Sequence, residues 1–347
     1  MSGHSSMDAE SAVLECLRSV LVGEIEPSDP ADLVIVQTGA ARRRSSLYFL
    51  GLAGGRPACR WVVKQPNSGS HQEDLRSPLS AAGQFQALQR LHEHLRQSDG
   101  PVATPRPVAY VPEIEAYVME YVPGPTLTGL IRPGAVLRPD SLLHGVAGSA
   151  QVLHAVHSLE SVEADRVDLP DLSRRAVTRG RQLLETAGLP TRDRWFVPSS
   201  SAYSTTAWKV LLHGDFAPEN VLLSPSGFYC LEPDLCERDW AEHDVVRFLL
   251  MLFDAPLFVA GVDIPPVQNL RRMAAATFLD AYYGEGPWPD ALRPLMVLSL
   301  TARWSTRHTD LAQRVPRLRR ARELLLRRYF GRLLDEVSSP IWPGVRR

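Results

Sequence analysis

The 347-residue chain is poor in lysine, contains no long apolar run and has no paired cysteine motif. No stretch of about 18 apolar residues is present, which argues against a membrane span. The first residues lack the basic and apolar pattern of a signal peptide. The four cysteines (Cys16, Cys59, Cys230 and Cys236) show no CxxC spacing and are expected to be free thiols. With a formal net charge of −1, the composition favours a cytoplasmic protein that binds neither nucleic acid nor membrane.

Lysine is nearly absent, because only Lys64 and Lys209 occur among the 38 Lys and Arg residues. An ammonium is a compact point charge, whereas a guanidinium is a wide planar fork. A lysine in an arginine-rich chain therefore suggests that its position requires an ammonium. Lys64 closes the apolar run 61–63, where its stem can pack in a sheet while its ammonium reaches phosphate. The alternative is an ordinary surface lysine at a strand end, which is what we expect of Lys209.

The most informative segment is residues 213–220, His-Gly-Asp-Phe-Ala-Pro-Glu-Asn, followed by an apolar run at 221–223. Phosphoryl transfer to a hydroxyl needs a carboxylate that orients the attacking OH and takes its proton. It also needs an oxygen ligand for Mg²⁺ a short loop away. Kinase catalytic loops place an Asp and an Asn at the spacing of Asp215 and Asn220. The segment therefore predicts phosphoryl transfer to a hydroxyl, the alternative being that Asp215 only caps a turn.

Short apolar runs separated by turns dominate the first third of the chain. Helical periodicity at 8–23 and 80–96 predicts two helices in this part. The apolar runs predict strands at 33–36, 47–50, 60–64, 108–111 and 116–119. A small sheet with one helix between its strands is the order of elements in a kinase N-lobe.

The pattern turns helical after about residue 122. Strong apolar periodicity predicts a helix at 141–159, another near 172–187, and helices through 240–336. Residues 160–208 are otherwise polar and irregular. Their Ser- and Thr-rich parts, 199–201 and 204–206, suggest a mobile loop.

Three segments in this order resemble the aminoglycoside phosphotransferase family: residues 213–220, Lys64 and Met119–Gly124. This family consists of small-molecule kinases with a protein-kinase-like fold, and the resemblance runs from about residue 30 to about residue 260. It implies an α+β fold of two lobes, with a small β-rich, nucleotide-binding N-lobe at 1–122. The larger, mostly helical C-lobe at 123–347 would hold the catalytic loop, the metal site and the acceptor-binding region.

The resemblance also assigns roles to residues around the catalytic loop. Asp215 would be the catalytic base, and Asn220 would bind Mg²⁺ through its amide oxygen. The second metal ligand would be Glu232 or Asp234. Asp244, 12 residues beyond Glu232, would brace the loop, and this register favours Glu232 as the ligand. His213 would support the loop from beneath.

The resemblance places ATP mainly in the N-lobe. Lys64 would position its phosphates, and Gly39 would belong to a short loop covering them. The adenine would meet backbone groups of Glu120 and Val122. The helix that should supply a Glu to hold Lys64 carries Gln84 at that position. The alternative partners are Glu73, Asp74, Glu93 or the nucleotide phosphate alone.

The charge of the C-terminal region indicates which class of acceptor the protein would bind. Members of the family phosphorylate aminoglycosides, macrolides, choline, homoserine and sugars. Residues 301–347 contain 12 arginines and 4 acidic residues, and such a face would repel a polycation. A neutral or anionic acceptor, such as a nucleoside or sugar, is favoured. Alternatively, the arginine helix is solvated or faces a dimer partner. A cationic acceptor also stays possible, because acidic residues are expected near the cleft: Glu237, Asp239, Glu242 and Asp254.

The sequence therefore predicts an ATP- and Mg²⁺-dependent kinase of a small hydroxylated molecule, with antibiotics among the candidate acceptors. A protein kinase is a rival, but no Ala-Pro-Glu segment or activation loop follows Glu232, and Gly214 stands where most protein kinases have an arginine. The second rival is a catalytically inactive, nucleotide-binding regulatory module. The departures at Gln84 and Glu232 would favour it. The oligomeric state is left open.

Overall fold

The computed structural model describes residues 4–21, 33–38, 45–53, 58–66, 80–98, 100–196, 204–235, 237–284, 287–313, 319–339 and 342. The chain divides into two compact units: Met1–Gly124 with Ser224–Asp234, and Pro125–Leu223 with Leu235–Arg347. The β-sheet of the N-terminal part and the helices of the C-terminal part confirm the expected α+β class. A domain boundary between residues 122 and 123 stays a prediction.

The first unit is built on an antiparallel sheet of five strands in the order β1-β2-β3-β6-β5. All the predicted strands belong to it, and a parallel pair, β4 with β10, accompanies it. The elements are α1 (His4–Leu21), β1 (Leu33–Thr38), β2 (Ser45–Leu52), β3 (Cys59–Pro66), α2 (Ala81–Leu95), β4 (Val102–Ala103), β5 (Pro107–Val111), β6 (Ala116–Glu120) and β10 (Gly227–Cys230).

Alternation along β3 places its side chains in two separate apolar clusters. Trp61 and Val63 pack in a cluster with the buried face of α1. Val62 packs in the other cluster with Leu88 of α2. Because side chains on a strand alternate between faces, Lys64 shares the face of Val62. The polar end of β3 is thereby presented on the side of the sheet that α2 covers.

The second unit is mostly helical. Within the described part of the chain, no helix has the length and apolar character needed to cross a membrane. The elements are α3 (Leu127–Leu130), α4 (Gly134–Leu137), α5 (Asp140–His157), β7 (Glu163–Asp168), α6 (Leu169–Thr186), β8 (Ser204–Leu211), β9 (Val221–Ser224), β11 (Arg238–Trp240), α7 (Glu242–Phe253), α8 (Pro256–Ala260), α9 (Pro265–Tyr283), α10 (Leu292–Gln313) and α11 (Arg319–Val337).

One expectation for the polar stretch 160–208 was wrong. Residues 204–206 begin strand β8, which pairs antiparallel with β7 on one side and β11 on the other. The part at 199–201 lies outside the described residues. Thr is favoured in strands, and Ala207, Val210 and Leu211 of this strand are buried. The ion pair between Lys209 and Asp165, with the two atoms 3.1 Å apart, ties β8 to β7.

A row of aromatic rings forms the centre of the second unit. Phe248 of α7 stacks on Phe278 of α9, with ring centroids 4.1 Å apart and planes at 17°. Phe248 also stacks on Phe216, which follows β8, at 5.3 Å. Phe278 in turn faces Tyr282 at 6.3 Å. The three Phe rings are fully buried, so the segment after β8 rests on a rigid aromatic support.

We expect Phe278→Ala to lower the free energy of unfolding by roughly 3–5 kcal/mol, because it opens a cavity in the centre of the row. Urea denaturation followed by circular dichroism measures this loss. Leu137→Ala is the control, since Leu137 is 85% exposed and its truncation should change little. Equal losses for the two variants would contradict the assigned role of the row.

Candidate active site

The loop between β8 and β9, residues 212–220, is held by one buried carboxylate. Asp244 of α7 is 2% exposed. Its Oδ2 accepts the backbone N–H of His213 at 2.7 Å, and its Oδ1 accepts that of Gly214 at 3.2 Å. His157 of α5 approaches the same Oδ2 through Nε2 at 3.1 Å. These bonds confirm the expected bracing role of Asp244.

The bracing extends to α9 through a histidine. The hydroxyl of Tyr282 lies 2.5 Å from Nδ1 of His157, so the two ring nitrogens of His157 join α9 to Asp244. Burial by itself would raise the pKa of Asp244. The hydrogen bond and charge of His157, the charge of His213 and the His213 N–H outweigh burial and lower that pKa. The carboxylate therefore stays ionised under the loop that it holds.

The backbone conformation of the loop explains why residue 214 is a glycine. Its backbone is left-handed, with φ of 84°, a region that side-chain-bearing residues rarely adopt. An arginine at this position, as in most protein kinases, would strain the turn that presents two N–H groups to Asp244. His213 is fully buried, and its ring packs on Phe216 with centroids 5.2 Å apart.

The two central residues of the motif lie together in this loop. The amide nitrogen of Asn220 donates to the backbone carbonyl of Asp215 at 2.8 Å, which closes the loop, so the amide oxygen is the atom of Asn220 that could hold a metal ion. The Asp215 carboxylate accepts a hydrogen bond from Arg247 of α7. Sequence reasoning missed Arg247. Its position three residues after Asp244, on the same helix, was the available signal.

Lys64 is buried, and its partner is Glu232, with Nζ and Oε2 2.9 Å apart. Both residues belong to the first unit. This pairing was not expected, because the family resemblance assigns Glu232 to the metal. Gln84 instead accepts a bond from Tyr117, whose ring lies beside the Lys64 ammonium. Glu93 is not the partner among the described residues, and Glu73 and Asp74 lie outside them.

Glu232 has an unusual backbone. Its φ is 54°, and a non-glycine residue in this left-handed region carries strain of about 1–3 kcal/mol that the surroundings must offset. The pKa of Tyr117 is raised well above its usual range, first by burial and then by the negative charges of Glu232 and Asp234. Both candidate carboxylates therefore act on the same polar group beside Lys64.

The segment expected to meet adenine continues from β6. The N–H groups of Glu120 and Tyr121 donate to the carbonyls of Arg106 and Arg60. Within the described residues no backbone carbonyl accepts the N–H of Val122, so this donor can meet a base. Gly39, the expected phosphate-covering residue, lies outside the described part of the chain.

Four arginines of the C-terminal region form ion pairs inside the second unit. Arg303 and Arg307 of α10 both bind Asp254. Arg328 and Arg332 of α11 both bind Asp263. The region is also not one helix, because α10 ends at Gln313 and α11 begins at Arg319. These pairs favour a structural role for the four arginines over a substrate role.

Glu237, Asp239, Glu242 and Asp254 were the acidic residues that could bind a cationic acceptor. The structure shows the surroundings of three of them. Asp254 is held by two arginines. Asp239 pairs with His243 at 3.4 Å and also accepts the N–H of Trp240. Burial raises the pKa of Glu242 from 4.5 to about 7, so half of its charge is lost near neutral pH. Asp254, Asp239 and Glu242 are therefore less available to bind a polycation than the sequence alone suggests.

Magnesium needs oxygen ligands and usually keeps substrate phosphates and water among them. Among the residues that the structure describes, no group of three or more His, Cys, Asp or Glu side chains could hold a metal alone. The amide oxygen of Asn220 and a carboxylate of Glu232 or Asp234 are hard donors of the type that fits Mg²⁺ bound to a nucleotide.

The fold and these residues define a kinase-type enzyme. The sequence profile described as the phosphotransferase enzyme family (APH) matches residues 37–295, well over half of the chain. The chain therefore belongs to the phosphotransferase enzyme family. No curated protein matches it in sequence.

Solved structures of small-molecule kinases share its fold. Choline kinase from Cryptosporidium parvum Iowa II is 13% identical with a TM-score of 0.53, and the match covers 96% of this chain and 98% of that one. A glucosamine kinase (crystal form A) is 16% identical with a TM-score of 0.51, covering 94% of this chain and 81% of that one. At these identities the similarity establishes the fold alone.

We expect Glu242→Gln to stabilise the protein at about pH 8 by roughly 3 kcal/mol, an effect that fades towards pH 5. Between pH 4.5 and 7 the unfolded chain ionises Glu242 while the folded protein keeps it protonated. Wild-type stability therefore falls as pH rises through this window and stays reduced above it. Chemical denaturation at both pH values measures the effect.

The control for this experiment is Glu185→Gln, which removes the charge of an exposed residue on α6. It should leave the pH dependence of stability unchanged. A Glu242→Gln gain of equal size at pH 5 and pH 8 would show that the raised pKa is not its cause.

Proposed function

We propose that the protein is an ATP- and Mg²⁺-dependent O-phosphotransferase that acts on a hydroxyl of a small molecule. The observation that supports this most is the loop 212–220, in which Asp215 and Asn220 lie together over the buried Asp244. A braced loop of this kind fixes a proton acceptor and a metal ligand relative to each other. Positioning of this type supplies most of the catalysis in phosphoryl transfer.

Asp215 would orient the acceptor hydroxyl and take its proton as the new bond forms. Arg247 would keep one carboxylate oxygen of Asp215 in place, and the other oxygen would face the hydroxyl. The transfer would be direct and in line, because the loop offers no activated nucleophile that could form a phosphoenzyme.

The nucleotide would be held by residues of the first unit. Lys64 would bind the phosphates of ATP, with Gly39 in the covering loop, and the backbone of Glu120 and Val122 would bind the adenine. Glu232 supports this role, because its carboxylate pairs with the buried Lys64 ammonium and offsets part of the cost of burying that group.

Magnesium would be bound by the Asn220 amide oxygen and by Glu232 or Asp234, and would neutralise the phosphate charge that grows during transfer. The Lys64 pair occupies Oε2 of Glu232, and a carboxylate has a second oxygen that can ligate a metal. Asp234 lies two residues further along the same segment and can share the ion.

A neutral or anionic acceptor is favoured over a polycation. By their names, the two kinases of similar fold act on choline and on glucosamine, whereas the preference proposed for this chain is argued from its own charges. In this chain Asp254 and Asp239 are already paired and Glu242 is buried. A cationic acceptor would have to displace these pairs, which costs the energy that they contribute.

A catalytically inactive nucleotide-binding module is the second candidate. The contact between Arg247 and Asp215 favours the inactive module, because the guanidinium occupies one carboxylate oxygen of the residue proposed as the base. The two candidates differ in one property: only the enzyme transfers phosphate to an acceptor when Mg·ATP is bound.

We expect Asp215→Ala to lower kcat by roughly 10²–10⁴-fold, because the hydroxyl loses the group that orients it and takes its proton. The affinity for Mg·ATP, measured by calorimetry, should be retained. Glu219→Gln is a matched control in the same loop and should keep its activity. Normal turnover by Asp215→Ala would sink the proposed mechanism.

A further inference from the structure

A cavity of about 750 Å³ lies wholly within the second unit, between helix α6, the start of α7 and helix α10. Its volume is in the range of small-molecule sites. Leu172, Leu295 and Leu298 form an apolar part of its lining. Polar and charged side chains of α6 and aromatic side chains near the start of α7 form the rest.

The aromatic part is a fixed stack of two rings. Trp240 and His243 lie with their centroids 5.9 Å apart and their planes at 16°. The indole N–H of Trp240 donates to Asp165 at 3.0 Å, and its backbone N–H donates to Asp239. These bonds fix the indole before any ligand arrives. A rigid aromatic surface of this kind suits a flat or ring-shaped ligand.

The charged part carries an excess of arginine. Arg174, Arg175 and Arg179 line the cavity, against the acidic residues Asp171 and Asp239. Asp171 is already bound by Arg175 at 2.8 Å and by Arg174 at 3.4 Å.

Arg179 differs from the other two arginines. Its NH1 donates to the neutral side chain of Gln182, and no carboxylate of the described residues pairs with it. Asp239 is likewise engaged, because it pairs with His243. The cavity therefore presents net positive charge and guanidinium donors that match a carboxylate or phosphate.

The position of the cavity relative to the catalytic loop follows from α7. His243 lines the cavity, and Arg247 lies four residues later, so the two side chains stand on the same face one turn apart. Arg247 donates to the carboxylate of Asp215. The aromatic end of the cavity is thus one helical turn from the residue that touches the proposed base.

We propose that this cavity binds the acceptor, and that the acceptor carries an acidic group on a ring-shaped body that also bears the reacting hydroxyl. The acid would bind Arg179 together with the terminal NH groups of Arg175, whose Nε is the atom paired with Asp171, and the ring would pack against Trp240. This inference rests on the proposed phosphotransferase function. The hydroxyl oxygen bonds to the γ-phosphorus of ATP, the bond to the β–γ bridging oxygen breaks, the proton passes to Asp215, and ADP leaves.

Calorimetry without nucleotide tests the ligand class separately from transfer. The probes are matched pairs: phenyl β-D-glucuronide against phenyl β-D-glucopyranoside, and uridine 5′-monophosphate against uridine. We expect at least one acid to bind about tenfold or more tightly than its neutral partner, because hydrogen bonds between charged groups contribute that much affinity. The double variant Arg175→Ala/Arg179→Ala should lose that advantage, while binding of the neutral partner stays the same.

Arg166→Ala is the control, because Arg166 is an exposed arginine of β7 that does not line the cavity. It should bind both acids as the wild type does. The inference is overturned if neither acid binds more tightly than its neutral partner, or if the advantage survives in the double variant.

The binding experiment also separates failure of this inference from failure of the proposed function. Arginine-dependent binding of an acid, without Mg·ATP-dependent transfer to any acceptor, would support the ligand class and overturn the kinase proposal. Transfer to neutral acceptors at the same rate in wild type and double variant would overturn the ligand class and leave the kinase proposal standing.

Discussion

The buried carboxylate of Asp244 is the interaction on which the second unit depends. It accepts two backbone N–H groups of the loop that carries Asp215 and a bond from His157. The hydroxyl of Tyr282 extends the network to α9, and a row of stacked rings leads from there back to Phe216. Loss of this carboxylate would leave several buried donors without an acceptor, a cost that exceeds the worth of any one bond.

Many of the described arginines form ion pairs within the fold, and this bears on what the protein can bind. Four arginines of the region 301–347 hold Asp254 and Asp263, so their charge is already used within the second unit. On α6, Arg179 has no acidic partner among the described residues. We therefore expect selectivity for the acceptor to follow from which arginines are already paired, which the overall charge of a segment does not reveal.

Local patterns in the sequence predicted most of the architecture. Alternation and helical periodicity identified the five strands of the first sheet and the main helices, because each of these buries one face. β7 was missed since it is polar and gains its stability from pairing with β8. The motif predicted Asp215 and Asn220, and the register after Glu232 predicted Asp244; hydrogen bonds join these residues around one loop, and the catalytic and metal-binding roles stay predictions. The pairing of Lys64 with Glu232 and the contact of His157 with Asp244 join residues far apart in sequence, so no local pattern predicts them. For Arg247, which contacts Asp215, the only local signal was its position one helical turn after Asp244.

The central claim is that this loop transfers a phosphoryl group to a small hydroxylated molecule. The most direct measurement is Mg²⁺-dependent ATP consumption over acidic, neutral and cationic hydroxylated compounds, with the products identified by mass spectrometry. The account predicts that at least one neutral or acidic compound gains a single phosphate in step with ADP release. Tight binding of Mg·ATP with no phosphorylated product from any class would contradict it and would identify the chain as a binding module.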